Sequence, residues 1–214
     1  MSLSEYFILF MIYSFIGWII EVIDIKIETK KLVNRGFLMG PYCPIYGWGG
    51  TLMSILLKNY VNDPLVLFLV AMVICSLLEY TTSYLMEKIF NARWWDYSNK
   101  KFNINGRVCL ETMIPFGLLG CFLMYVLNPF LLNILNGIPN VITTIIAIIL
   151  LIIFLIDNIV SYSIITKISI SSKKVIKDST EEITKKIREY ISKNSKFGKR
   201  LMKSFPRFKS MIKK

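Results

Sequence analysis

Long apolar stretches alternate with short polar connections over the first 165 residues of this 214-residue chain. A helix that spans a bilayer needs about 20 mainly apolar residues. The pattern predicts an all-α integral membrane fold, with residues 1–165 as the transmembrane domain. We expect five transmembrane helices, at about 6–25, 37–57, 64–87, 108–127 and 138–163.

The second predicted span begins irregularly, because residues 37–50 contain Pro41, Pro44 and four glycines. Proline removes a backbone donor, and glycine weakens a helix by about 1 kcal/mol. A regular helix can start only near Ile45, and a helix over 45–60 would be about 24 Å long, short of the ~30 Å bilayer core. We therefore expect 37–44 to enter the membrane as non-helical backbone that lines a polar cavity. A kink packed against a neighbouring helix is the alternative.

The basic residues indicate the orientation of the spans. The connections 26–36 and 88–107 are rich in lysine and arginine, whereas 58–63 contains Lys58 alone and 128–137 contains no basic residue. Cytoplasmic loops carry an excess of basic residues. Five spans place every basic loop on one side, so we expect a bacterial inner-membrane protein with its N-terminus outside and its C-terminus in the cytoplasm.

The last part of the chain, 166–214, is a predicted basic cytoplasmic tail. It holds sixteen of the 26 lysines and arginines and four of the 14 acidic residues, which accounts for the whole net charge of +12. A helix-start pattern begins at Ser179, and apolar residues recur at helical spacing after it. Such a basic amphipathic segment is typical of binding to the anionic lipids of the inner leaflet. No nucleic-acid-binding motif accompanies the charge, so we expect no nucleic acid partner.

The amino-acid composition limits the kinds of catalytic and metal site that the chain can form. The chain contains no histidine, which excludes histidine-based acid–base catalysis and histidine-ligated metals. It has no phosphate-binding loop and no paired CxxC cysteines. We therefore expect no metal and no cofactor, and the pattern favours a protein that is not an enzyme.

Several ionisable side chains fall within or beside the predicted spans on the cytoplasmic side. A buried charge in a membrane costs several kcal/mol unless it is paired or lines a polar cavity. Glu79 and Asp157 lie deepest, and the arginines can provide forked contacts to an anion. Salt bridges at helix interfaces are the alternative for each residue alone. The predicted ligand-binding residues are Arg35, Tyr46, Glu79, Arg107, Glu111 and Asp157.

Several motifs extend over about 6–165, among them VNRGFLMGPYCPIYGWGG, EYTTSYLMEKIF, RWWDYS and FNINGRVCLE. In these motifs the chain resembles the bacterial family of ABC-transporter type IV permeases. The resemblance implies a multipass inner-membrane protein that belongs to a transport system. A separate ATPase or another membrane subunit is then a candidate partner.

These observations favour a transport-related, permease-like subunit that binds a polar or anionic solute in a pocket on the cytoplasmic side. Two alternatives stay open. One is a membrane enzyme that acts on a lipid or a lipid-linked phosphate, with carboxylates as acid or base and arginines on the phosphate. The other is a membrane scaffold without catalytic activity.

Overall fold

The structure is a computed structural model that describes residues 1–30, 32–90, 92–173, 196–204 and 209–210. Apart from one antiparallel pair of two-residue strands, its regular elements are helices. In chain order they are α1 (Leu3–Thr29), α2 (Pro44–Leu56), α3 (Pro64–Phe90), β1 (Ala92–Arg93), α4 (Leu110–Phe122), a π-helical turn (Leu123–Leu127), α5 (Asn128–Asn136), α6 (Asn140–Lys173), α7 (Lys196–Ser204) and β2 (Lys209–Ser210).

Among the described residues, four helices are long and apolar enough to cross a membrane: Leu3–Ile27, Pro64–Phe90, Leu110–Asn136 and Asn140–Ser163. Their apolar side chains remain exposed outward, as expected for a surface that faces lipid. The helix that starts at Asn140 is the most peripheral, with 11% of its most apolar window buried. The prediction of a helical membrane protein is therefore confirmed.

The helix of the fourth predicted span, Leu110–Asn136, is longer than the sequence pattern indicates. A π-helical turn at Leu123–Leu127 joins α4 to α5 without a break, so the helix continues to Asn136. The prediction of a loop at 128–137 is therefore wrong for the nine residues of α5. Pro129 does not end the helix, because proline is compatible with the first turn of a helical segment.

Contacts between the helices show that the chain direction alternates. Phe37 packs on Phe90 with ring centroids 5.3 Å apart, so the connection after α1 and the end of α3 lie at the same end of the bundle. At the other end, Leu9, Leu57, Leu67 and Leu131 share one buried cluster. The connections 30–43 and 91–109 therefore lie at one end of the bundle, which we call the basic end. Three helices run toward this end, namely α1, α3 and α6. Helices α2, α4 and α5 run away from it.

Residues 34–43, which we call the entry segment, turn back into the bundle beside α1. The segment begins at Asn34, whose side chain accepts a hydrogen bond from Trp18 Nε1 at 2.6 Å. It ends at Cys43, whose amide donates to the Ser14 carbonyl at 2.9 Å. Ser14 lies near the middle of α1, so irregular backbone reaches halfway along this helix. Helix α2 then starts at Pro44, as the prolines and glycines predicted.

Candidate functional site

Asp157 on α6 fixes the entry segment in place. Its carboxylate accepts the backbone amides of Met39 at 2.9 Å and Gly40 at 2.6 Å, the hydroxyl of Tyr42 at 2.5 Å and the hydroxyl of Ser161 at 2.8 Å. Irregular backbone within a membrane bundle needs such partners, because lipid provides none. Both oxygens of Asp157 thus accept hydrogen bonds from the protein itself. In this structure Asp157 holds the entry segment in place.

Glu21 forms the second polar group, between α1 and α2. One of its oxygens lies 3.0 Å from Arg35 Nε, and the other accepts the Tyr46 hydroxyl at 2.7 Å. The helices can approach this closely because residue 17 of α1 is glycine, and a Cβ there would overlap the ring of Tyr46. Two of the predicted residues, Arg35 and Tyr46, thus meet on a carboxylate that the prediction had not included.

Glu79 on α3 lies next to this group and differs from it in its partners. The residue is 7% exposed and accepts the Tyr97 hydroxyl at 3.2 Å and the Thr112 hydroxyl at 3.4 Å. Helix α2 packs against α3 at this level, since a Cβ at Gly49 would lie 3.8 Å from the Leu78 side chain. In the part of the chain that the structure describes, no lysine or arginine forms an ion pair with Glu79. We call Glu21, Arg35, Tyr46, Glu79 and Tyr97 the carboxylate cluster.

Tyr97 comes to Glu79 from the connection between α3 and α4. Its amide donates to the Gly106 carbonyl at 2.8 Å, which closes this connection into a compact loop. Gly106 has a φ of +66°, a conformation that favours glycine. Burial raises the pKa of Tyr97, and the charge of Glu79 raises it further. The hydroxyl therefore stays protonated and remains a donor to the carboxylate.

Arg107 belongs to a separate ion network at the base of this loop. Its guanidinium lies 3.1 Å from Glu87 and 3.2 Å from the Ser83 hydroxyl, and it stacks against the rings of Tyr80 and Tyr84. Arg93 binds the same oxygen of Glu87 at 2.9 Å. Arg107 is 7% exposed, so this predicted ligand-binding residue is held in a buried ion network that orders the loop.

Glu111 is placed differently from the other predicted residues. It lies in the first turn of α4 and pairs with Lys100 at 2.7 Å, with 59% of its side chain exposed. Exposed ion pairs of this kind contribute about 0–1 kcal/mol. The structure thus brings Arg35 and Tyr46 together on Glu21 and places Glu79 on the neighbouring helix α3. Asp157 binds the entry segment, and Glu111 lies at the surface.

Sequence reasoning missed several polar partners. Tyr97 and Thr112 are distant from Glu79 in sequence, although Tyr97 stands in the RWWDYS motif. A further polar group lies midway through the bundle, where the Asn128 side-chain oxygen accepts the Tyr13 hydroxyl at 2.9 Å and the Ser54 hydroxyl at 3.2 Å. Asn128 follows the π-helical turn directly, and π-helical turns often occur at functional positions.

The fold and the polar cluster together define a multipass helical membrane protein with a polar site near one end of the bundle. The chain belongs to the family described as putative ABC-transporter type IV, whose profile matches residues 8–162. This confirms the resemblance seen in the motifs, and it makes the chain a transport-related membrane protein. No curated protein and no solved structure matches the chain.

The family match includes the whole carboxylate cluster and ends before α7. Among the described residues, no group of three or more histidine, cysteine, aspartate or glutamate side chains is arranged to hold a metal ion. The chemistry available at the cluster is therefore that of carboxylates, phenol hydroxyls and one paired guanidinium.

Proposed function

We propose that this protein is the membrane subunit of a transport system and that it binds a polar solute at the carboxylate cluster. The binding groups are the carboxylate of Glu79 with the hydroxyls of Tyr97 and Tyr46 around it. Glu21 and Arg35 form the wall toward the entry segment, and Asp157 positions that segment. Arg107 and Glu111 act outside the cluster. Arg107 supports the loop of Tyr97, and Glu111 forms an ion pair at the surface.

One observation supports this assignment most: Glu79 is 7% exposed and has only hydroxyl partners among the described residues. An ionised carboxylate in such a place is costly unless a positive charge or a proton compensates it. A solute with an ammonium or another cationic hydrogen-bond donor would provide that charge. Glu79 would bind the donor, and the two tyrosines would line the remainder of the site.

The charge balance favours a cationic or neutral polar solute over the anionic one that the arginines suggested. The guanidinium of Arg35 is paired with Glu21, and that of Arg107 is paired with Glu87. An anion would have to displace a carboxylate from one of these pairs. A cation at Glu79 meets no such competitor.

We also propose that the entry segment and α2 together form a fifth crossing of the membrane. The 13 residues of α2 measure about 20 Å as a helix, and the irregular residues before Pro44 would provide the remaining depth. The alternating direction of the helices and the collection of the basic connections at one end support this topology. With that end in the cytoplasm, the N-terminus is outside and the cluster opens toward the cytoplasm.

The protein resides in the bacterial inner membrane, and a separate ATPase or another membrane subunit provides the energy for transport. The tail over 166–214 interacts with anionic lipids through its basic residues. Its predicted helix start at Ser179 and the apolar stripe after it lie outside the described residues.

The binding proposal can be tested by purifying the protein from native membranes and identifying bound solutes by mass spectrometry. Glu79→Gln keeps the shape of the side chain and removes its charge, whereas Glu111→Gln makes the same change in an exposed pair. We expect the first variant to lose the bound solute, with an affinity at least about tenfold lower, and the second to retain it. Equal retention by both variants would refute the site.

A further inference from the structure

The C-terminal helix α7 contacts the entry segment through Arg200 and Ser204. Arg200 donates to the carbonyl oxygens of Gly36 at 3.4 Å, Leu38 at 2.5 Å and Met39 at 3.1 Å. Four residues further on, the Ser204 hydroxyl donates to the Asn34 carbonyl at 2.6 Å. Asp157 on α6 binds two amides of the same segment, so α6 and α7 both hold its backbone.

The chain then reaches the second connection of the basic end. Strand β2 pairs with β1 in antiparallel register, with Ala92 opposite Ser210 and Arg93 opposite Lys209. Arg93 is the partner of Glu87 in the ion network at the base of the Tyr97 loop. The elements α7 and β2 therefore contact both connections that build the carboxylate cluster, the entry segment on one side and the loop of Tyr97 on the other.

The side chains beneath this contact are closed off from solvent. Leu38 is 1% exposed and Cys43 is 6% exposed. A Cβ at Gly36 would lie 3.1 Å from the Cys43 sulfur, so the thiol packs against the residue whose carbonyl Arg200 binds. A guanidinium is suited to this position, because its rigid planar fork of five N–H donors can serve several carbonyls at once.

We propose that α7 and β2 act as a strap that closes the basic end over the carboxylate cluster, and that release of Arg200 from the entry segment opens it. The proposal rests on the proposed function where it takes the cluster as the site that the strap controls. The strap is attached by a few side-chain hydrogen bonds and a two-residue ladder. Its local release therefore costs much less free energy than unfolding of the bundle.

Cys43 provides a native reporter for the strap. In the full chain, with Cys75 and Cys121 replaced by Ala and Cys109 by Ser, we would measure the rate at which a water-soluble maleimide alkylates Cys43. Arg200→Ala should raise this rate on the order of tenfold, because it removes three hydrogen bonds from a charged donor. Lys203→Ala removes a positive charge from an exposed position of the same helix and should leave the rate unchanged.

A disulfide lock separates release of the strap from general misfolding. Ala92 and Ser210 face each other in the ladder, where Cα atoms lie about 4.5–5.5 Å apart, within the range that a disulfide bridges. The Ala92→Cys/Ser210→Cys pair should form a crosslink that peptide mass spectrometry detects. Oxidation of this pair in the Arg200→Ala variant should return the labelling rate of Cys43 toward the wild-type value.

The outcomes distinguish the strap from the solute site. Faster labelling in Arg200→Ala that the crosslink reverses supports the strap, even if no solute copurifies with the protein. An unchanged labelling rate of Cys43 in Arg200→Ala would overturn the strap, and so would failure of the crosslink to form. Either result would be compatible with solute binding at Glu79. Equal acceleration by Lys203→Ala would also overturn it, because charge alone would then control access.

Discussion

The carboxylate of Asp157 accepts the amide of Gly40 at 2.6 Å across a separation of 117 positions in the chain. This hydrogen bond joins the last apolar helix to the irregular backbone that precedes α2. The rings of Tyr42 and Phe154 pack beside it, with centroids 5.7 Å apart. The peripheral helix α6 is thus attached where the entry segment needs a polar partner.

Asp157→Asn should destabilise the protein by about 2–3 kcal/mol. The amide side chain keeps one acceptor oxygen but turns a donor toward backbone N–H groups that need an acceptor. Asp24→Asn is the matched control, because Asp24 is exposed on α1 and should change stability by less than about 0.5 kcal/mol. Thermal unfolding in detergent measures both. Equal melting temperatures for the two variants would contradict this role of Asp157.

Glu87→Gln should loosen the loop that carries Tyr97. The change leaves the guanidinium groups of Arg93 and Arg107 without their shared carboxylate, and breaking a buried ion pair costs about 3–5 kcal/mol. Hydrogen exchange at the Tyr97 amide, which donates to Gly106 in the native loop, should become faster.

Glu111→Gln provides the control for that measurement. It changes the same side chain in the same way, but in the exposed pair with Lys100, and should alter stability by no more than about 1 kcal/mol. A Tyr97 amide that stays protected in Glu87→Gln would show that the loop does not depend on the ion network.

The pattern of residues was sufficient to predict the apolar helices and the irregular start of the second one. Pro41, Pro44 and the glycines around them disrupt helical structure through their own backbone geometry. Their effect can therefore be predicted from the sequence. Glu79, Ser83 and Glu87 are four residues apart, which is the helical spacing of one polar face, and their side chains point toward the Tyr97 loop.

Partner choice could not be predicted in the same way. The sequence indicates that Arg107 is available to an anion, but not that Glu87 at the end of α3 neutralises it. It likewise gives no sign that Arg200 reaches the carbonyls of the entry segment, because that contact depends on how the chain returns after more than 160 residues. Such pairings follow from tertiary packing, whereas span and turn patterns follow from local chemistry.

Reporter fusions should establish the orientation of the bundle. We expect a fusion after Asn62 and a fusion after Pro139 to be active as an external reporter, and a fusion after Lys214 as a cytoplasmic one. The reason is that the basic connections lie at the end of the bundle opposite to Asn62 and Pro139, and basic loops stay in the cytoplasm. A cytoplasmic signal after Pro139 would refute the five-crossing topology.

Gly47→Ala should destabilise the contact between α1 and α2, whereas Gly49→Ala should not. A Cβ at position 47 would lie 2.6 Å from the Phe10 carbonyl oxygen and closer still to the Ser14 hydroxyl, and the backbone of α1 cannot yield. Overpacking of this kind costs about 1–3 kcal/mol. At position 49 the nearest atoms would be 3.8 Å away, so alanine fits and adds up to about 1 kcal/mol of helix propensity. Both variants add one methyl group to α2, at positions only two residues apart. A lower melting temperature for Gly47→Ala and a higher one for Gly49→Ala would therefore show that the close contact between α1 and α2 causes the difference. Equal shifts would mean that the helices separate easily, and that the entry segment does not depend on their contact.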